Sequence, residues 1–106
     1  MVYINRYNLK EGKNAKFHRW ILENRDALIE GSPEGWRYLG TLFTVRSLGR
    51  FDAETHWELD SYSALGAGFG DESFQRLLGE WLSFVDGQIE ASLMKSAEDV
   101  EVLAGS

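Results

Sequence analysis

The sequence predicts one α+β domain whose elements follow in the order βαββαβ, with one face of its sheet left without helices. Three observations predict it. From Ala53 to Ser61 apolar and polar side chains alternate, the period of a strand with one buried face. Two segments, beginning near Asn14 and Asp71, carry apolar residues at helical spacing on one side and charges on the other. Turn-forming clusters stand between these segments: Lys10 to Lys13, Gly31-Ser32-Pro33, Ser47 to Arg50 and Asp86-Gly87. At 106 residues the chain has room for a single core. Residues 1–95 are read as the domain and 96–106 as a tail.

Each element has its own signature. Val2 to Leu9 is rich in β-branched and aromatic residues and reads as the first strand. Phe17, Trp20, Ile21 and Leu28 share a helical face opposite Lys16, Arg19, Glu23 and Asp26, and Pro33 marks the end of that helix. Gly35 to Arg46 reads as the second strand, turning through Ser47 to Arg50 into the third. In the third strand Ala53, Thr55, Trp57 and Leu59 face one way, and Glu54, His56, Glu58 and Asp60 the other. Asp71 or Ser73 caps a second helix whose stripe is Phe74, Leu77, Leu78, Trp81, Leu82 and Val85. Gln88 to Met94 is the last strand. Val100 and Val102 alternate with charges, as a short extra strand added to a partner's sheet edge would.

Composition excludes several functions. With 17 acidic and 11 basic residues the net charge is −6, which repels phosphate backbones and anionic lipid, so neither a nucleic-acid nor a membrane-surface role is expected. The chain has no cysteine, which removes disulfides, thiolate catalysis and cysteine metal sites. No long apolar segment opens the sequence and no spanning run follows, so a cytoplasmic protein is expected.

Two strand-helix-strand halves in this order resemble the ferredoxin-like split βαβ fold, with an antiparallel four-stranded sheet, central first and third strands, and both helices on one face. The run Pro33-Glu34-Gly35-Trp36-Arg37-Tyr38-Leu39-Gly40-Thr41 resembles the proline-glycine-aromatic lead into the second strand in one group of such proteins. Trp57 to Leu65 (WELDSYSAL) resembles their way of ending the third strand in an aromatic, an acidic residue and a serine before a small-residue turn. That group is the dimeric α/β-barrel superfamily, with its NIPSNAP, EthD-like and antibiotic-biosynthesis-monooxygenase families. The resemblance covers about residues 1–95 and implies a homodimer in which two bare faces close into a barrel.

Glu54, His56, Glu58 and Asp60 form the main candidate constellation. Residues two apart on a strand lie about 7 Å apart on one face, close enough for a carboxylate to orient an imidazole. Three readings stand: a solvated strand face paired with Arg6, Arg37 or Arg46; an acid/base site; or a site for a divalent metal. Tyr3, Asn5 and Tyr7 alternate along the first strand, and with Tyr38 they are expected to share a ligand cavity with this row. Heme-degrading relatives pair an asparagine of the first strand with a tryptophan and a histidine. Here Trp57 and His56 are neighbours and must face opposite ways, and no histidine follows on the second helix to hold iron. His18 lies beside the apolar stripe of its helix rather than on it. The glycines of Gly66 to Asp71 lack the lysine of a P-loop and read as a flexible lid.

The functional expectation is therefore a homodimeric barrel that binds a small apolar or aromatic molecule in a cavity lined by Tyr3, Asn5, Tyr7, Tyr38, Glu54, His56 and Glu58, with no cofactor and no metal. Its enzymatic version, implied by the family likeness, is cofactor-independent monooxygenase-like or isomerase-like chemistry. His56 would be the base, oriented by Glu54 or Glu58. The alternative is a non-catalytic assembly protein whose polar row pairs across the dimer.

Overall fold

The computed structural model describes residues 1–45 and 50–99. Strand β1 (Val2–Leu9) leads through a turn into helices α1 (Asn14–Glu23) and α2 (Arg25–Glu30). Strands β2 (Trp36–Phe43) and β3 (Ala53–Leu59) follow, then helices α3 (Tyr62–Phe69) and α4 (Glu72–Leu82), strand β4 (Val85–Met94) and a 3-10 turn at Ala97–Asp99. The sheet is antiparallel in the order β2-β3-β1-β4, so the first and third strands are central, as the ferredoxin-like reading requires. The turn expected at residues 47–50, apart from Arg50, and the strand expected around Val100 and Val102 lie outside the described residues.

The first predicted helix is two. At Asn24 the side-chain Nδ2 and the backbone N–H both donate to the Trp20 carbonyl, each at 2.9 Å, so two donors crowd one acceptor and the helix is interrupted there. The second helix starts where expected, because Asp71 Oδ1 accepts the Phe74 N–H at 3.0 Å. It ends at Leu82 rather than near Asp86, and Val85 opens β4 instead of extending the helical stripe.

The larger correction concerns the segment expected to be a lid. Residues Tyr62–Phe69 are an α-helix, and their small side chains serve close approach rather than flexibility. Trp36 is buried beneath α3, its Nε1 donating to the Ala64 carbonyl at 2.6 Å. A Cβ at Gly68 would collide with the Trp36 ring. Glycine there is required by the neighbour, and the ring is held edge-on by Trp57 and Phe74 at centroid distances of 5.5 and 5.2 Å.

The main core cluster lies between the helices and one sheet face, while Ile4 is buried on the other face. Tyr7, Phe17, Leu59 and Phe74 are its most deeply buried large residues. Gly66, on the same helix as Gly68, has open space where a Cβ would stand. Gly68→Ala is therefore expected to lower stability by about 1–3 kcal/mol through overpacking. Gly66→Ala should raise it by about 0.5–1 kcal/mol through helix propensity. Urea denaturation of the two variants measures both signs.

Candidate functional site

The register of β1 against β3 decides which side chains can meet. Tyr3 pairs with Trp57, Asn5 with Thr55 and Tyr7 with Ala53, and these six lie under the helices. Val2 pairs with Glu58, Ile4 with His56 and Arg6 with Glu54, and these lie on the bare face. Directly opposed residues share a face, so the polar row and the β1 tyrosines are on opposite sides of the sheet.

Under the helices a cavity of about 330 Å³ opens between β1, β3, β4, α3 and α4. Tyr3, Trp36, Trp57, Phe69, Phe74 and Trp81 give it an aromatic wall, and Leu78, Leu82, Ile89 and Ala91 complete its apolar lining. Among the described residues Asn5 is the one carboxamide in it. That side chain is 6% exposed and makes no hydrogen bond to the protein among the described residues. Burial pushes the Tyr3 phenol above its ordinary pKa, so it stands neutral as a second polar tip.

Beside this cavity lies a void of about 20 Å³, large enough for one water, with Trp57, Leu78 and Trp81 as shared walls. Four hydroxyls run along it in a chain. Tyr38 meets Thr41 at 2.7 Å, Thr41 meets Thr55 at 3.0 Å, and Thr55 meets Tyr7 at 2.7 Å. Tyr7 is fully buried, and desolvation pushes its pKa up to about 12. Trp81 Nε1 is buried with no partner at hydrogen-bond geometry, and the polar group it bears on is the Tyr7 hydroxyl.

On the bare face Glu54, His56 and Glu58 of the row are paired within the chain. Glu54 receives Arg6 Nε on one oxygen at 3.1 Å and stands 2.9 Å from His56 Nε2 with the other. Arg37 reaches Glu58 at 2.6 Å, and Arg50 reaches Glu90 at 3.2 Å. The hydrogen bond from His56, then that residue's charge and Arg6, hold the Glu54 carboxyl below its ordinary pKa against the opposing effect of burial. Among the described residues no group of three or more His, Cys, Asp or Glu is placed to hold a metal ion.

The single seven-residue cavity expected from the sequence therefore does not exist. Tyr3 and Asn5 line the larger cavity, Tyr38 lines the small void, and Tyr7 is sealed in the core at the end of the hydroxyl chain. Glu54, His56 and Glu58 are on the other side of the sheet. Alternation along one strand fixes faces only within that strand, and the phase between strands needs the register. Trp81, on the stripe of its helix, and Phe69, within the glycine-rich segment, are cavity residues that the sequence pattern does not single out. A helical reading of residues 62–69 would have been the signal for Phe69.

No protein-family model matches the sequence, and no curated protein matches it. Solved structures do. A NIPSNAP domain protein from Burkholderia xenovorans superposes with a TM-score of 0.66 at 19% identity, over 91% of this chain and 94% of that one. A NIPSNAP family protein from Agrobacterium tumefaciens gives 0.65 at 15% identity, over 91% and 86%. The chain has the fold of these proteins. The heme-degrader MhuD from Mycobacterium tuberculosis, solved with two hemes in its active site, gives 0.63 at 19% identity over 93% and 97%.

The cavity of this chain does not fit heme. Asn5 and Trp57 do line it together, but no histidine does: His56 is on the opposite face, and His18 is exposed on α1, edge-on to Phe43. An imidazole for iron is missing from the wall. No described helix is long and apolar enough to cross a membrane.

The Glu54 cluster carries a pH dependence of defined sign. Its folded pKa lies below the unfolded value near 4.5, so its contribution is present above that value and is lost as pH falls through the folded pKa. Urea denaturation between neutral pH and about pH 3 should show a shallower loss of stability at the acid end in Glu54→Gln than in the wild type. Equal slopes would show that Glu54 titrates alike in the folded and unfolded chains.

Proposed function

We propose that this protein binds a small, flat, largely aromatic molecule bearing a carbonyl-type oxygen, held between the helices and the sheet. The observation that carries the reading is Asn5: a carboxamide 6% exposed, without a protein partner, in an otherwise aromatic and aliphatic cavity. Among the described residues Trp81 Nε1 is the buried side-chain polar atom without a partner, so the Asn5 amide is open to the cavity, where a ligand oxygen or a water can accept from Nδ2. The volume of about 330 Å³ lies at the small end of ligand pockets, about 300–1,000 Å³. Two such chains meeting through their bare faces would form the dimer, and that face suits burial because its carboxylates Glu54, Glu58 and Glu90 already have cations.

The test uses probes with and without the oxygen. 2-Acetylnaphthalene is expected to quench the indole emission at concentrations about tenfold lower than naphthalene, the effect of one buried hydrogen bond. In Asn5→Leu that preference should vanish while naphthalene still binds. Equal binding of both probes by the wild type would refute the role of Asn5.

A second reading rests on the geometry of His56, whose Nε2 is 2.9 Å from the Glu54 carboxylate while Nδ1 has no hydrogen-bond partner among the described residues. That is the arrangement of a base and its orienting acid. In a closed barrel His56 would take a proton from an aromatic or polyketide-like compound, as an isomerase or in the first step of cofactor-independent oxygenation by dioxygen. His56→Ala would then abolish turnover while leaving the dimer intact on size-exclusion chromatography. Unchanged turnover would leave the row, Glu58 with Arg37 included, as the internal pairing of an assembly surface.

A further inference from the structure

A groove of about 330 Å³ separates α1 and α2 from the edge strand β2, apart from the helix-side cavity and reaching the edge of the bare face at Leu42, which pairs with Glu54. Its walls include Leu22, Ile29, Leu39 and Leu42, which are 61, 48, 46 and 57% exposed. Four large apolar side chains at one surface groove form a patch of the kind that marks an interaction site. Among the described residues Arg25 is the one charged residue lining it, and Tyr38 brings the end of the hydroxyl chain. The register of β2 against β3 shifts between Tyr38 and Gly40, an edge irregularity of the kind found beside functional sites.

The chain of hydroxyls gives this groove a direction. Tyr38, Thr41, Thr55 and Tyr7 hold four protons and make three hydrogen bonds, so one of the four hydroxyls keeps a spare proton. At the Tyr7 end the neighbouring polar group is the Trp81 N–H, itself a donor with no acceptor to spare. Two donors facing each other in a buried space are unfavourable, so Tyr7 gives its proton to Thr55, and the spare proton falls on Thr55, Thr41 or Tyr38. An acceptor in the groove beside Tyr38 selects the order in which Thr55 donates to Thr41 and Thr41 to Tyr38, leaving the Tyr38 O–H free to donate. That O–H stands at the groove together with a guanidinium.

We infer that this groove binds an amphiphilic carboxylate, with the carboxylate accepting from Arg25 and the Tyr38 hydroxyl and the hydrocarbon lying along Leu22, Ile29, Leu39 and Leu42. One cation and one directed O–H match a single anionic head group, and the remaining wall matches an unbranched chain or an aryl ring. A free medium-chain acid is the occupant of this size and polarity.

The probe is decanoate, used below its micelle concentration, with decanol as the uncharged control, and binding is followed by amide chemical shifts of the whole chain. Decanoate is expected to shift Leu22, Leu39 and Gly40 and to bind at least about tenfold more tightly than decanol, since charge-assisted hydrogen bonds are stronger than neutral ones. Arg25→Gln, an exposed change that leaves the core untouched, should remove that preference. Tyr38→Phe should reduce it with the amide spectrum otherwise preserved. Leu42→Asn should weaken both ligands together. Equal affinity for acid and alcohol, an Arg25→Gln variant that still prefers decanoate, or shifts confined to residues around Asn5 and Trp57 would overturn the assignment.

Discussion

The antiparallel register of β1 on β3 is the constraint on which the other features depend. With Tyr3 opposite Trp57, the aromatic and hydroxyl side chains of both strands fall under the helices and build one core. With Ile4 opposite His56, the charges of β3 fall together on the face without helices. A slip of one residue would bring Asn5 opposite His56 and expose the tyrosines, and the apolar burial lost would be large. The helices enforce the observed phase because only one face of each strand can fill the space beneath them. Tyr7, Trp57 and Leu59 are at most 3% exposed.

That phase treats polar groups differently on the two sides. Beneath the helices they are few: the hydroxyls of Tyr38, Thr41, Thr55 and Tyr7 bond in a chain with one proton to spare, while Asn5 has no protein partner among the described residues. On the bare face the charges are many and are neutralised locally by Arg6, Arg37 and Arg50. Half-exposed pairs of this kind add little to stability, about 0–1 kcal/mol each. Their effect is to remove the cost of bringing unpaired carboxylates against another surface. The Asn5 amide opens on the aromatic cavity with no protein partner among the described residues, which is why ligand binding is better supported there than at His56.

The aromatic wall shows how small residues make room for large ones. Trp36 can lie flat under α3 only because Ala64 and Gly68 present almost no side chain to it. The helix so placed brings Phe69 to the cavity, and α4 brings Phe74 and Trp81. A segment whose composition suggests flexibility is thus one of the closest packing contacts in the molecule, because glycine serves close approach as readily as mobility.

The element order, the one-sided covering of the sheet and the split of β3 into Trp57 and His56 faces were legible in the sequence, because periods of two and 3.6 are properties of single elements. The Asp71 cap and the pairing of the polar row with Arg6 and Arg37 were legible too, since short-range chemistry and cross-strand charge matching leave local traces. The kink at Asn24, the helix at 62–69 and the separation of Tyr3 and Asn5 from His56 were not. Each depends on what stands opposite: a carbonyl shared by two donors, a tryptophan ring beneath a glycine, a partner strand in register. The sequence by itself determined which residues share a face within each strand and helix, whereas tertiary structure alone decided which faces meet, because interstrand phase is set by the packing of the whole core.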